Sequence, residues 1–287
     1  MTTPAQRIRD LVAADTILMP GVYDAITARI AARLDFEIVF ISGYSVSAAR
    51  LGEPDFGFLT ESEMAEAARS VSRVSKAPVI VDADTGYGNA VNTMRTVRDF
   101  QDAGAAGVFL EDQAWPKKCG HFQGKQVIPP EEHAAKIRAA ADARGDRDLF
   151  IVARTDARQP LGVEEAIKRC LSYKEAGADA LFVEAPQSTE ELEQIAKELP
   201  PPLVANMIER GVTPHLSRRE LKDLGYQLIV CPLAVLYASA HAAIKVLTEL
   251  KEKETTAALY EELTTFDEFG ELVELQNRYA DESRYAT

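Results

Sequence analysis

Polar side chains recur directly after short apolar runs along this 287-residue chain. Asp82 and Asp84 follow PVIV, Glu111 follows GVFL, Glu184 follows ALFV, and Arg154 and Asn206 end two more such runs. Ser42, Gly43 and Tyr44 close another. Two aspartates two residues apart on a strand project to the same side. Carboxylates held that close repel each other unless a proton or a cation lies between them. With Glu111 they form an oxygen-rich set suited to Mg2+, with Mn2+ the alternative, because magnesium takes few protein ligands and keeps several waters. Strand-end caps and ion pairs with Arg154 would explain any one of these residues, but polar groups end six of eight runs. The segment DQAWPKKCGHFQGK then brings Lys117, Lys118, Cys119, Gly120 and His121 together in a polar loop. Flanking cations lower a thiol's pKa, which predicts an exposed, activated Cys119 serving as acid/base or nucleophile. A loop of this kind can close over a substrate and exclude water.

The apolar runs lie at 17–19, 37–41, 78–82, 107–110, 149–153, 180–183, 203–205 and 227–231. Most are continuously apolar, as strands are when both faces are covered in a parallel sheet. Segments with helical periodicity lie between them, at 61–75, 93–103, 130–143, 163–176 and 188–199. Eight alternations predict an α/β fold, a (β/α)8 TIM barrel with its catalytic residues at the carboxyl ends of the strands. One barrel domain spans 1–287, and a helical extension runs from about 238 to its end. Phe266, Phe269, Leu272, Leu275 and Tyr279 repeat every three or four residues there, an apolar stripe that needs a surface to cover it.

The net charge of −13 argues against nucleic acid as a partner. No apolar run reaches the roughly 18 residues of a membrane span, and the N-terminus lacks the apolar stretch of a signal peptide, which predicts a cytoplasmic protein. Three cysteines, Cys119, Cys170 and Cys231, are too few and too scattered for a disulfide framework, and the last two sit in patterns that read as packed core.

SGY, DADTGYG, LEDQ, KKCGH, ARTDA and VEAP, in this order over nearly the whole chain, resemble the isocitrate lyase/phosphoenolpyruvate mutase superfamily. KKCGH is similar to the lyase branch, which holds isocitrate lyases, 2-methylisocitrate lyases, 2,3-dimethylmalate lyases and oxaloacetate hydrolases. The superfamily's phosphonate mutases characteristically lack this cysteine loop. The resemblance implies that Asp82 and Asp84 hold Mg2+, with Glu111 a further carboxylate of the metal shell. It implies that Ser42, Gly43 and Tyr44 receive a substrate carboxylate, and that Asp55, Lys117, Gly120, His121, Arg154, Glu184 and Asn206 belong to the active site. Cys119 matches the acid/base that protonates the departing carbanion. Tyr44 and Glu184 are the alternatives for the base that takes the substrate's hydroxyl proton. The resemblance also implies a homotetramer whose C-terminal helices are exchanged between neighbouring barrels.

For the substrate, the family's 2-methylisocitrate lyases carry an arginine where this chain has Tyr237, and losing that partner disfavours a tricarboxylate. Its oxaloacetate hydrolases tend to carry serine where Pro232 stands. Both departures favour a substituted malate, cleaved to a 2-keto acid and a carboxylic acid. 2-Methylisocitrate lyase, oxaloacetate hydrolase or decarboxylase and, less favoured, a phosphonate-forming mutase are the alternative activities. An inactive barrel kept for metabolite binding is the alternative from another class.

Overall fold

The structure is a computed structural model and describes residues 2–286. Strands β1 (Ile17–Val22), β2 (Val39–Ile41), β3 (Val79–Asp82), β4 (Gly107–Glu111), β5 (Phe150–Thr155), β6 (Ala180–Val183), β7 (Leu203–Asn206) and β8 (Leu228–Cys231) pair in sequence order into a closed barrel. Every pairing is parallel, including β1 with β8. The barrel follows from the patterning, because parallel strands need crossovers and the helical segments supply them.

Strand alternation divides the core in two. Met19, Phe40, Ile80, Phe109, Val152, Phe182, Val204 and Val230 point inward and fill the barrel. Their neighbours, such as Val39, Ile41, Val79, Val81, Val108 and Leu110, point outward and pack under the helices. A helix not foreseen in the sequence, Pro4–Ala14, is capped by Thr3 and adds Ala5, Ile8 and Val12 to the inner cluster. Its signals were present: a Thr-Pro start and apolar residues at helical spacing.

The chain separates into two compact units, Met1–Ala234 and Val235–Thr287. The first is the barrel. The second is helical, with most of the helix Ala234–Lys253 followed by the helices Phe266–Leu272 and Leu275–Ser283. Met1 and Thr287, the ends of the span assigned to one domain from sequence, lie outside the described residues.

Candidate active site

One more step of the same alternation builds the site. Two residues beyond Phe40, Ile80, Phe109, Val152, Phe182, Val204 and Val230 come Ser42, Asp82, Glu111, Arg154, Glu184, Asn206 and Pro232. A period of two keeps these on the inward face, as a polar layer over the apolar plug. Ser42, Asp82, Arg154, Glu184, Asn206 and Pro232 line a cavity of about 40 Å³, joined by Tyr44, Asp55, Cys119 and Gly120.

After β2 the chain turns at once into the helix Gly43–Leu51, and the Ser42 hydroxyl caps it by accepting from the Ser45 N–H at 3.3 Å. The Gly43 N–H donates to Asp82 Oδ2 at 3.3 Å. A β-carbon on Gly43 would stand 3.0 Å from Asp82 Oδ2 and 3.5 Å from Asp84 Oδ1. The two carboxylates and the helix N-terminus therefore share one corner. Strand alternation does not bring them together, as the sequence reading supposed. β3 ends at Asp82, and Asp84 lies beyond it in a left-handed turn with φ of 45°. Its N–H donates to Asp82 Oδ1 at 3.1 Å, and its Oδ2 accepts from the Tyr87 hydroxyl at 3.1 Å.

The loop after β4 is folded down on this layer. Cys119 N–H donates to the Asp55 carbonyl at 3.0 Å. Lys117 Nζ lies 2.6 Å from Asp55 Oδ1 and 2.5 Å from Asp84 Oδ1, with all three side chains buried. Lys118 turns the other way, its ammonium 5.9 Å from the Phe56 ring centre. Gly120 packs against Arg154, and a β-carbon there would stand 2.5 Å from Glu184 Cγ. His121 Nδ1 accepts from the Val212 N–H at 3.0 Å. The neutral ring then carries its proton on Nε2, which faces Glu184 Oε1 at 3.2 Å.

This closure overturns the expectation for Cys119. Its side chain is buried, and burial, reinforced by the Asp55 charge, pushes the thiol up to about 12. The neighbouring lysines do not activate it. Lys117 is spent on two carboxylates and Lys118 points outward, so adjacency in sequence is not adjacency in space.

Arg154 donates from Nε to Asp156 Oδ2 at 2.9 Å and from Nη2 to Asp156 Oδ1 at 3.0 Å. It also lies 3.3 Å from Glu111 Oε2 and 3.8 Å from Glu184 Oε2. Burial opposes ionisation of Glu184, but Arg154 and His121 hold its carboxyl below the ordinary range. Asn206 Nδ2 donates to the same carboxylate at 3.1 Å. Burial dominates at Glu111 and pushes it well above the ordinary carboxyl range.

The fit to a divalent cation turns on the donors. Both Glu111 carboxylate oxygens are buried without a hydrogen-bond partner, and Asp84 Oδ1 meets only the Lys117 ammonium. Among the described residues no group of three His, Cys, Asp or Glu side chains stands in ligating geometry. An oxygen-only set that converges as the pair Asp82 and Asp84 suits a hard cation that retains most of its waters.

Sequence reasoning left Lys125, Asp156 and Tyr87 out of its site assignments, although Asp156 and Tyr87 stand in the ARTDA and DADTGYG motifs. Lys125 was legible only as one more polar residue of the loop, and only closure buries it against Asp156. Tyr237, expected beside the substrate, belongs to the second compact unit.

The phosphoenolpyruvate phosphomutase family profile matches residues 8–251. The chain is 55% identical to a chloroplastic carboxyvinyl-carboxyphosphonate phosphorylmutase of Arabidopsis thaliana, over 94% of this chain and 81% of that one. It is 50% identical to the petal death protein of Dianthus caryophyllus, over 94% and 85% of the two chains. It is 45% identical to the 2,3-dimethylmalate lyase of Eubacterium barkeri, over 99% and 98%. Among solved structures, a 2,3-dimethylmalate lyase superposes with a TM-score of 0.93 at 33% identity, covering 99% of this chain and 96% of that one. A phosphonopyruvate hydrolase solved with oxalate and Mg2+ superposes with a TM-score of 0.89 at 28% identity, covering 99% of each chain.

Proposed function

The chain belongs to the phosphoenolpyruvate phosphomutase/isocitrate lyase superfamily and is an enzyme of the carbon–carbon lyase type, and on that premise we propose that it cleaves a substituted malate with the help of Mg2+. The observation that carries this reading is the buried Cys119 thiol in one cavity with Arg154, Glu184 and Asp82. A lyase of this kind must deliver a proton to a carbanion inside a closed site, and a thiol held up to about 12 is such a donor.

The helix N-terminus at Gly43 and Tyr44 receives one substrate carboxylate, for which the Gly43 N–H would leave Asp82 Oδ2. Asp82 and Asp84 would hold Mg2+, which when bound lowers the pKa of the substrate hydroxyl and offsets the negative charge beside it. Glu184, held ionised by Arg154 and His121, accepts the hydroxyl proton; Tyr44 is the other acceptor lining the cavity. The C2–O bond becomes a carbonyl as the C2–C3 bond breaks, and its electron pair moves onto C3, next to the second carboxylate. Arg154 balances that charge, and Cys119 gives C3 its proton. Transfer of the proton held on Glu184 back to the thiolate returns the enzyme to its starting state, so no co-reactant is consumed.

The cavity wall at Ile208, Pro232 and Leu233 is apolar, which favours alkyl substituents over a further carboxylate. A turnover panel on 2,3-dimethylmalate, 2-methylisocitrate, isocitrate and oxaloacetate, with Mg2+ and with chelator, tests the reading. Chelator-sensitive cleavage of dimethylmalate is expected. Selective hydrolysis of oxaloacetate would move the assignment to the oxaloacetate hydrolase activity. Conversion of a phosphonate substrate with silence on all four acids would favour the chemistry named for the Arabidopsis relative.

The same reading includes a homotetramer. The helix Ala234–Lys253 has no buried residue, and Ile244, Leu247, Phe266 and Tyr279 are exposed, which supports a partner copy as their cover. A cytoplasmic setting accords with three free cysteines, and no helix among the described residues is long and apolar enough to cross a membrane.

A further inference from the structure

Lys125 lies six residues beyond Cys119 in the closed loop and does not line the cavity. Its side chain is fully buried, as is that of Asp156, and the ammonium lies 2.9 Å from Asp156 Oδ1. The same ammonium donates to the Gly120 carbonyl. Asp156 Oδ1 also accepts from Arg154 Nη2 at 3.0 Å, so one carboxylate oxygen is shared by a loop lysine and the site arginine. Asp156 is itself fixed, because its N–H donates to Asp112 Oδ1 at 2.8 Å. Glu111 and Glu184 compete for Arg154 from 3.3 Å and 3.8 Å.

We propose that Lys125 is a positioning residue that latches the loop shut and, through Asp156, sets the guanidinium of Arg154 for the reaction. With the loop down, Lys125 holds the Gly120 carbonyl over Arg154 and completes the charge around Asp156. With the loop up, Asp156 loses one of its two cations and Gly120 leaves the face of Arg154. Arg154 keeps its bonds to Asp156 but loses the Gly120 backbone that packs its guanidinium against Glu184. Closure of the lid and orientation of the arginine are in this way one event. A buried ion pair is weak evidence for stability by itself. Without Lys125, Asp156 keeps both its Arg154 bonds and its bond to Asp112, so the barrel has no need of the lysine to fold.

The proposal rests on the lyase reading for its kinetic arm only. The test compares Lys125→Met and Lys125→Arg with the wild type by kcat and KM on whichever acid is cleaved. In parallel, fluorescence of Trp115, the chain's single tryptophan and a residue of this loop, is followed during titration with oxalate in the presence of Mg2+. In Lys125→Met, kcat should fall by about 100-fold. KM should rise no further than the oxalate requirement does, so that the larger loss falls on kcat. The Trp115 response should need at least about ten-fold more oxalate, and Lys125→Arg should recover part of both losses. A folded Lys125→Met with wild-type kcat and wild-type oxalate response overturns the proposal. So does equal damage in both variants explained by loss of thermal stability alone, which would make Lys125 structural. The oxalate arm reads the latch whichever acid is the substrate, so a wrong substrate assignment and a wrong latch give different results.

Discussion

A thiol that ionises only near 12 keeps its proton throughout the physiological range. Such a thiol is suited to giving up a proton rather than to attacking, since the thiolate is the nucleophilic form. Cys119→Ser should lower turnover by at least about 100-fold with melting temperature unchanged, as befits the loss of one general acid. Alkylation of Cys119 by iodoacetamide near neutral pH, followed by mass spectrometry, should be slower than that of a free thiol. Fast alkylation would mean an activated nucleophile instead. A second buried group bears on stability. His133 is fully buried with its ring edge-on to Tyr173, and burial, aided by the Lys136 charge, lowers it to about 3. Its unfolded form protonates near 6.5, so the folded state loses stability as pH falls from there toward 3, at about 1.4 kcal/mol per unit. Above 6.5 the contribution is complete. His133→Phe, measured by denaturant unfolding at pH 7 and pH 5, should lose less stability between the two than the wild type does. An equal loss would remove His133 from acid sensitivity.

At the scale of elements, the loop after β4 decides whether the strand-end residues act together. In this position the loop covers a cavity of about 40 Å³ over the strand ends. A loop so placed can open to admit substrate and close before chemistry. Gly120→Ala tests the closed fit. Its β-carbon would overlap Arg154 and sit 2.5 Å from Glu184 Cγ, so closure should fail and turnover fall. The loss should be about 100-fold or more, with an unchanged melting temperature. Near-normal turnover would mean that catalysis does not use this closed arrangement. The strand ends were legible in the sequence because continuous apolar runs stop at Asp82, Arg154 and Glu184. The loop was legible as chemistry but not as geometry. KKCGH announces a thiol among cations, yet only the fold tells Lys117 from Lys118, or buries Lys125 on Asp156. The turn at Asp84 was hidden for a related reason, since an aspartate two residues after another reads as strand until a left-handed φ is seen.

At the scale of the whole molecule, the barrel buries its own core, while the second unit leaves large apolar side chains in solvent, Phe266 at 86% and Tyr285 at 84% exposure. Light scattering after gel filtration should give about four times the chain mass of 31.5 kDa. Phe266→Glu with Phe269→Glu should shift the assembly to smaller species, and a monomeric wild type would refute the tetramer. The stripe was readable from its spacing, but what covers it was not, because a sequence gives the face and not its partner. The proposed reaction is a C2–C3 cleavage ended by proton delivery from Cys119. The most direct measurement is NMR of 2,3-dimethylmalate turned over in D2O by the protein with Mg2+. The account predicts pyruvate and propionate in equal amounts, with one deuterium on the propionate carbon next to its carboxylate. Formation of neither product by folded, magnesium-supplied protein would contradict it.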